Sequence, residues 1–402
     1  MKSMRCAEGA PGRWAWPAGG LALLVVLLLS RLVAGLIFAE LSIVNDSGQA
    51  VRPWGPPAHL DFVVYQAHSV TAWDEMGRPL VFVRTWVVEG WGAALAGLHS
   101  LALKPGPVFP ALIAVTGYAH DQVLLATVYL LAGAGLAWAW AQWVRMQGAS
   151  WWLQAVLACF PALVYYSFLV STDLLFAVVM AGFYACWRGA LAGGRGYIGA
   201  AMGVLLLALC TRPVALSLIP LMFLAVQAQA WSASKRVLWM LLWTLTGLYM
   251  LVYYLPYFWV HETNGLGTHY WGLYPPQYRQ GLWPNWPDWI NLPLSWLLLG
   301  LSKLLHSVGL RPSYADLAPG LTMARALPGL LLLPGLLYGL WKSRREDRLF
   351  VLFFLPPVYV GAAQERYLLP VMPWLVYWGV VAWTSMYGRC RAYRLRHMDK
   401  AP

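Results

Sequence analysis

The sequence predicts an all-α polytopic membrane protein, a bundle of about ten (ten to twelve) transmembrane helices with interfacial helices in two long outer loops. Three observations predict it. The 402 residues are 60% hydrophobic and 11% charged, with a mean hydropathy of +0.57, where soluble domains carry about 25% charged residues. Apolar runs of about 17–24 residues recur, each long enough to cross a hydrocarbon core, and without the alternation that a β-barrel requires. The basic residues gather in short connections between those runs, as the positive-inside rule demands.

In chain order, the first apolar run, 19–39, follows Lys2, Arg5 and Arg13. It is longer than a signal-peptide core and lacks a small-residue cleavage site, so it reads as a retained helix entering from the cytoplasm. Residues 40–121 form an outer loop whose apolar pieces are short or proline-broken, and these read as interfacial helices. A six-helix core follows over 122–258, with spans near 122–144, 150–169, 174–191, 197–211, 214–230 and 237–258. A second outer loop covers 259–318; its stretch 290–305 reads as interfacial, because a crossing there would invert the sides of Lys342 and Arg345. Spans near 319–341, 348–363 and 367–387 complete the bundle, and a basic tail, 388–402, carries no appended soluble domain. Counted this way, 17 of the 28 Lys and Arg residues lie on the cytoplasmic side. The whole chain, 1–402, reads as one membrane-embedded domain.

The net charge of +12 therefore reflects topology and not nucleic-acid binding. Five scattered cysteines with no CxxC spacing indicate neither a disulfide framework nor a zinc site. Nothing in the sequence calls for an organic cofactor.

Several polar groups fall where helix ends are expected at the outer face. In HLDFVVYQAHS, 59–69, helical spacing puts Leu60, Val63, Val64, Ala67 and Val70 on one face and Asp61, Tyr65, His68 and Glu75 on another. That pattern fits an interfacial helix with its acidic side towards a cavity, and equally an ordinary amphipathic loop helix. Asp173 lies at the outer turn between two apolar helices. It is either a solvated hairpin-tip acid or, with Asp61, half of a site for a divalent cation such as Mg²⁺ or Mn²⁺. Arg212, in Thr211-Arg212-Pro213, and Glu365-Arg366-Tyr367 stand at two further outer junctions. An arginine at that level is a functional group or a snorkelling anchor. The second loop is rich in tryptophan and tyrosine. With His261, Glu262 and His269 it offers stacking and hydrogen bonds to a sugar, although interface belts use the same residues.

Taken together, these pieces resemble the C-type glycosyltransferase (GT-C) superfamily, the membrane enzymes that use polyprenyl-phosphate sugars, such as protein O-mannosyltransferases and the aminoarabinose transferase of lipid A. The resemblance runs over about 20–230 and 350–385. It rests on Asp61-Phe-Val-Val-Tyr65 followed by Gly77, on Lys104-Pro105 before PVFPALIA, on Asp173, on Thr211-Arg212-Pro213, and on Arg366-Tyr367 with Pro370 and Pro373. Phe62 stands where the family often has a second acid, and Leu103 where it often has a glutamate.

The resemblance implies a polyprenyl-phosphate-linked sugar donor, an acceptor that is a glycan, lipid or protein, and an active site on the outer face of a bacterial-type cytoplasmic membrane. It implies that Lys104, Arg212, Arg366 and Tyr367 bind the donor phosphate and that Tyr65, His68, His269 and Glu365 support the site. Asp61 would be the base that activates an acceptor hydroxyl for inverting attack. Asp46, in VNDSGQ, is the rival base; an interfacial helix holds a carboxylate more rigidly than that Gly/Ser loop. The alternative function is transport of a lipid or lipid-linked sugar. A transport path calls for charges inside the spans, and away from their ends the predicted spans contain only Arg31 and Arg325. A scaffold role leaves the ordered polar set unexplained.

Overall fold

The computed structural model describes residues 25–33, 43–44, 50–51, short pieces between 84 and 112, and then 122–168, 171–263, 282–283, 285–308, 319–355 and 365–398. Among the described residues, a two-residue antiparallel ladder pairs β1 (Ile43–Val44) with β2 (Ala50–Val51), and all other regular structure is helical. The first predicted span is represented by α1, residues 25–33.

The core begins with α2 (Gln122–Met146), which carries Arg145 in its last turn, where a cation suits the helix dipole. Gly148, with φ +78°, then reverses the chain. The span predicted at 150–169 is divided, into α3 (Trp151–Ala158) and α4 (Pro161–Ser167). Pro161 has no N–H to continue the ladder, and its ring clashes with the preceding turn. The break frees backbone carbonyls in the middle of an apolar bundle. Arg31 of α1, itself buried, donates Nη1–H to the Ala158 carbonyl at 2.6 Å. One of the two charges inside predicted spans thus closes a helix end.

Helices α5 (Thr172–Leu191) and α6 (Arg195–Leu209) form an antiparallel hairpin. The span predicted at 214–230 starts as a 3-10 segment (Pro213–Leu218) and becomes α7 (Ile219–Gln227). Two side chains tie α7 to α5: Trp187 donates its indole N–H to the Leu221 carbonyl at 2.8 Å, and the Gln229 amide donates to the Ala190 carbonyl at 2.7 Å. Next, α8 (Ala233–Thr263) has 31 residues and outruns the predicted 237–258. At 1.5 Å per residue it is about 46 Å long, more than a hydrocarbon core requires.

In the second long loop the chain forms α9 (Asp288–Ser307). After it come α10 (Pro319–Lys342), α11 (Arg345–Phe354), a second 3-10 segment (Glu365–Val371) and α12 (Met372–Met398). Helices α10 and α12 meet backbone to backbone. A Cβ at Gly335 would fall on the Leu375 carbonyl and within 2.7 Å of the Gly379 nitrogen; one at Gly379 would fall on the Leu331 carbonyl. Gly335 and Gly339 lie one turn apart, the small-xxx-small spacing that lets membrane helices approach closely. Gly335→Leu is expected to lower the melting temperature in detergent, with a stability loss of about 1–3 kcal/mol. An unchanged melting temperature would show that this contact tolerates separation.

Among the described residues, three helical stretches are long and apolar enough to cross a membrane: Thr172–Leu191, Ala233–Tyr254 and Tyr367–Gly388. Shorter apolar helices accompany them at Gly196–Leu209, Pro213–Gln227 and Leu327–Lys342. The outward face of α8 displays Leu238, Leu241, Leu242, Leu245 and Leu248, a surface suited to hydrocarbon and not to water. Trp151, Trp152, Tyr197, Trp341 and Tyr387 are exposed near the helix ends that also carry Arg145 and Lys342, the pattern of a membrane–water interface.

Candidate functional site

Three chain corners meet where α5 starts, α6 ends and α12 is approached. Ser171 is extended (φ −137°, ψ 158°), and α5 begins with Thr172 and Asp173 in its first turn. An acid there is favoured by the helix dipole. At the second corner, α6 closes with the Arg212 N–H donating to the Ala208 carbonyl at 2.9 Å. The following Pro213 keeps Arg212 out of helical conformation, and its backbone is extended (φ −150°, ψ 144°). That turn sends the side chain across to α5.

The Arg212 guanidinium reaches Asp173, with Nη1 2.7 Å from Oδ1. It also donates from Nε at 3.0 Å and from Nη2 at 2.6 Å to the Thr172 hydroxyl. The third corner, the 3-10 segment Glu365–Val371, supplies Tyr367, whose ring centroid lies 5.2 Å from the guanidinium carbon, within cation–π range. The exposures of the pair differ in a way that matters: 11% for the Arg212 side chain and 1% for Asp173. The acid is the buried anchor, and the arginine is the member that keeps an accessible edge.

Two further contacts fix this corner. The Tyr129 hydroxyl of α2 donates to the Ser171 carbonyl at 2.8 Å. The Val108 N–H donates to the Cys210 carbonyl at 3.2 Å, and Phe109, fully buried, stacks edge-on against Tyr129 at 6.3 Å. Val108 and Phe109 belong to the Lys104-Pro-Gly-Pro-Val-Phe-Pro stretch, so part of the first long loop is bonded to the Arg212 corner.

Of the expected site residues, Asp173, Arg212 and Tyr367 are brought together. Glu365 and Arg366 share the 3-10 segment with Tyr367, where the backbone alone is described. Asp46, Asp61, Tyr65, His68, Lys104 and His269 lie outside the described residues. The described donors do not fit a divalent cation: Asp173 is engaged by a guanidinium, and no group of three or more His, Cys, Asp or Glu occurs among the described residues. Asp173 orients Arg212.

A second buried acid escaped the sequence reasoning. Asp347 of α11, 3% exposed, accepts hydrogen bonds from the Tyr184 hydroxyl and, at 3.4 Å, from the Trp374 indole N–H. Tyr184, Phe350 and Trp374 pack around it with ring centroids 4.6–5.0 Å apart. Tyr184 lies eleven residues along α5 from Asp173, about 16 Å away, towards the other end of the bundle. The network joins α5, α11 and α12.

No family model, no curated protein and no solved structure matches this chain.

Proposed function

We propose that the protein is an integral membrane glycosyltransferase of the GT-C kind, with about ten spans. It moves a sugar from a polyprenyl-phosphate carrier to an acceptor hydroxyl at the outer face of the cytoplasmic membrane. The observation that supports this most is Arg212: a cation anchored by Asp173 and Thr172, faced by Tyr367, and open at one edge at the end of apolar helices. A fixed guanidinium at that level is suited to a phosphate carried by a lipid, because its planar fork matches the phosphate oxygens. The bond from Val108 to Cys210 ties the stretch that follows Lys104 to the same corner.

The chemistry balances with groups of this chain. The Asp61 carboxylate takes the proton of the acceptor hydroxyl, and the oxygen attacks the anomeric carbon from the face opposite the phosphate. The bond from that carbon to the phosphate oxygen breaks, and the polyprenyl phosphate leaves with the bonding pair. Arg212, with Lys104 and Arg366, stabilises the negative charge that grows on the phosphate, the kind of preorganised electrostatics that lowers such barriers most. Tyr367 holds Arg212 in place. The acceptor can be a glycan, lipid or protein.

The test uses purified protein in lipid nanodiscs with a panel of polyprenyl-phosphate sugars. One donor is expected to bind and to be hydrolysed slowly without acceptor, releasing free sugar. Movement of an intact lipid-linked sugar across sealed vesicles, with no bond cleaved, would contradict the proposal and favour a transporter.

A further inference from the structure

Helix α1 carries an arginine among apolar neighbours. Val25, Leu28, Leu29, Leu32 and Val33 recur at helical spacing and are exposed, while Leu27 and Arg31, one turn apart, are buried. The exposed stripe suits hydrocarbon, so α1 stands at the edge of the bundle with Arg31 turned inward, 4% exposed. A charge within a span is costly, and it faces the bundle interior where it serves a site. Its contact sets its level. Ala158 lies seven residues along α3 from the exposed Trp151, about 10 Å in from the end of the bundle that carries Arg145.

One nitrogen of this guanidinium is engaged. Nη1 donates to the Ala158 carbonyl at 2.6 Å and to the Ser30 hydroxyl at 3.0 Å. Among the described residues, nothing accepts a hydrogen bond from Nε or Nη2, and both nitrogens are buried. Cys159, beside the guanidinium, is a free thiol and not a carboxylate. Nε and Nη2 share one edge of the plane, and their parallel N–H bonds are spaced to meet two oxygens of one oxyanion. A single carbonyl fills half of that edge; an oxyanion fills it and supplies the missing counter-charge. The wall beside it is short. Helix α3 has eight residues, set between the turn at Gly148 (φ +78°) and the break at Pro161. Parting of α1 from α3 opens the edge sideways to the bilayer, where the anions in reach are lipid phosphates.

We infer that Arg31 is the centre of a buried phosphate site between α1 and α3, filled by the headgroup of a membrane lipid that enters from the bilayer. A lipid headgroup and free phosphate share this chemistry. The exposed leucines of α1 favour the lipid, whose chains lie along them. The site is built from other elements than the Arg212 corner and does not depend on sugar transfer. Arg212 is anchored by a carboxylate of this chain; the free edge of Arg31 takes its anion from the ligand.

The experiment follows the melting temperature of the purified protein in mild detergent against rising phosphatidic acid and, separately, against inorganic phosphate. It compares the unsubstituted protein with Arg31→Met, Arg31→Lys and the double variant Asp173→Asn/Arg212→Gln. A ligand that binds the folded state raises its melting temperature. Phosphatidic acid is expected to do so, with an apparent affinity about tenfold to a hundredfold weaker in Arg31→Met, the loss of a charge-assisted pair of hydrogen bonds. Arg31→Lys keeps the charge without the parallel edge, and its affinity should fall between the two. The double variant, which lacks the outer cation, should keep the Arg31-dependent shift. If Arg31→Met does not fold, the weakened affinity of Arg31→Lys carries the comparison. An arginine that only closes the end of α3 would lower the lipid-free melting temperature when substituted and leave lipid affinity unchanged, and that result overturns the site. A shift lost in the double variant but kept in Arg31→Met places the lipid at Arg212 and overturns it too. An equal shift with inorganic phosphate overturns the lipid source, and no shift in the unsubstituted protein overturns the site altogether.

Discussion

Arg212→Gln is expected to lower donor turnover by about a hundredfold to a thousandfold, the effect of removing one preorganised donor from developing phosphate charge. The variant also strands Asp173, which is 1% exposed, and breaking a buried ion pair from one side costs about 3–5 kcal/mol. The double variant Asp173→Asn/Arg212→Gln removes both charges together. It is expected to recover thermal stability relative to the single variant without recovering turnover. Arg212→Lys keeps the charge but loses the fork that spans Asp173 and Thr172, and its activity should fall between the two. Turnover rates and melting temperatures on the same preparations separate the roles. If turnover in the double variant returns with stability, Arg212 is a structural partner of Asp173 and nothing more.

The second large effect is on stability. Asp347→Leu removes the acceptor shared by the Tyr184 hydroxyl and the Trp374 indole. Each buried donor left without a partner costs about 1–3 kcal/mol, so the melting temperature in detergent should fall sharply. Asp347→Asn keeps an acceptor oxygen, and should lose less. The fall should occur without a specific change in donor affinity, because Tyr184, the partner of Asp347, lies eleven residues, about 16 Å, along α5 from Asp173. Equal stability of the leucine and asparagine variants would show that the hydrogen bonds to Asp347 contribute little.

How far the sequence carried the structure depends on how local each signal was. The apolar runs from 122 to 258 announced helices because each is long and most are bounded by basic or glycine-containing turns, and helices form there. Pro161 and Pro213 were visible in the sequence, yet their consequences were not: one divides a predicted span, and the other starts a 3-10 segment. A proline in an apolar run signals a break only when the neighbouring helices provide partners for the freed carbonyls. Arg31 provides one from more than a hundred residues away.

The candidate site was legible as a set of residues at helix junctions but not as contacts. Asp173, Arg212 and Tyr367 were each singled out, and their meeting depends on three corners packing together. Pairing Asp173 with Arg212 required the extended backbone at Arg212, which a metal-based expectation for Asp173 did not foresee. Asp347 was not among the residues singled out in the sequence. Its signal was present: Asp347, Phe350, Val351 and Phe354 fall at i, i+3, i+4 and i+7, an acid on the apolar stripe of a short helix, and all four are buried.

The most direct measurement is single-turnover release of free polyprenyl phosphate from a polyprenyl-phosphate sugar in proteoliposomes, comparing the unsubstituted protein with Asp61→Asn. The unsubstituted protein should cleave the sugar–phosphate bond, while the Asp61→Asn protein, folded and still binding donor, should fail to transfer sugar to acceptor. Transfer by Asp61→Asn at the unsubstituted rate, or passage of the intact donor across the bilayer with no phosphate released, would contradict the assignment.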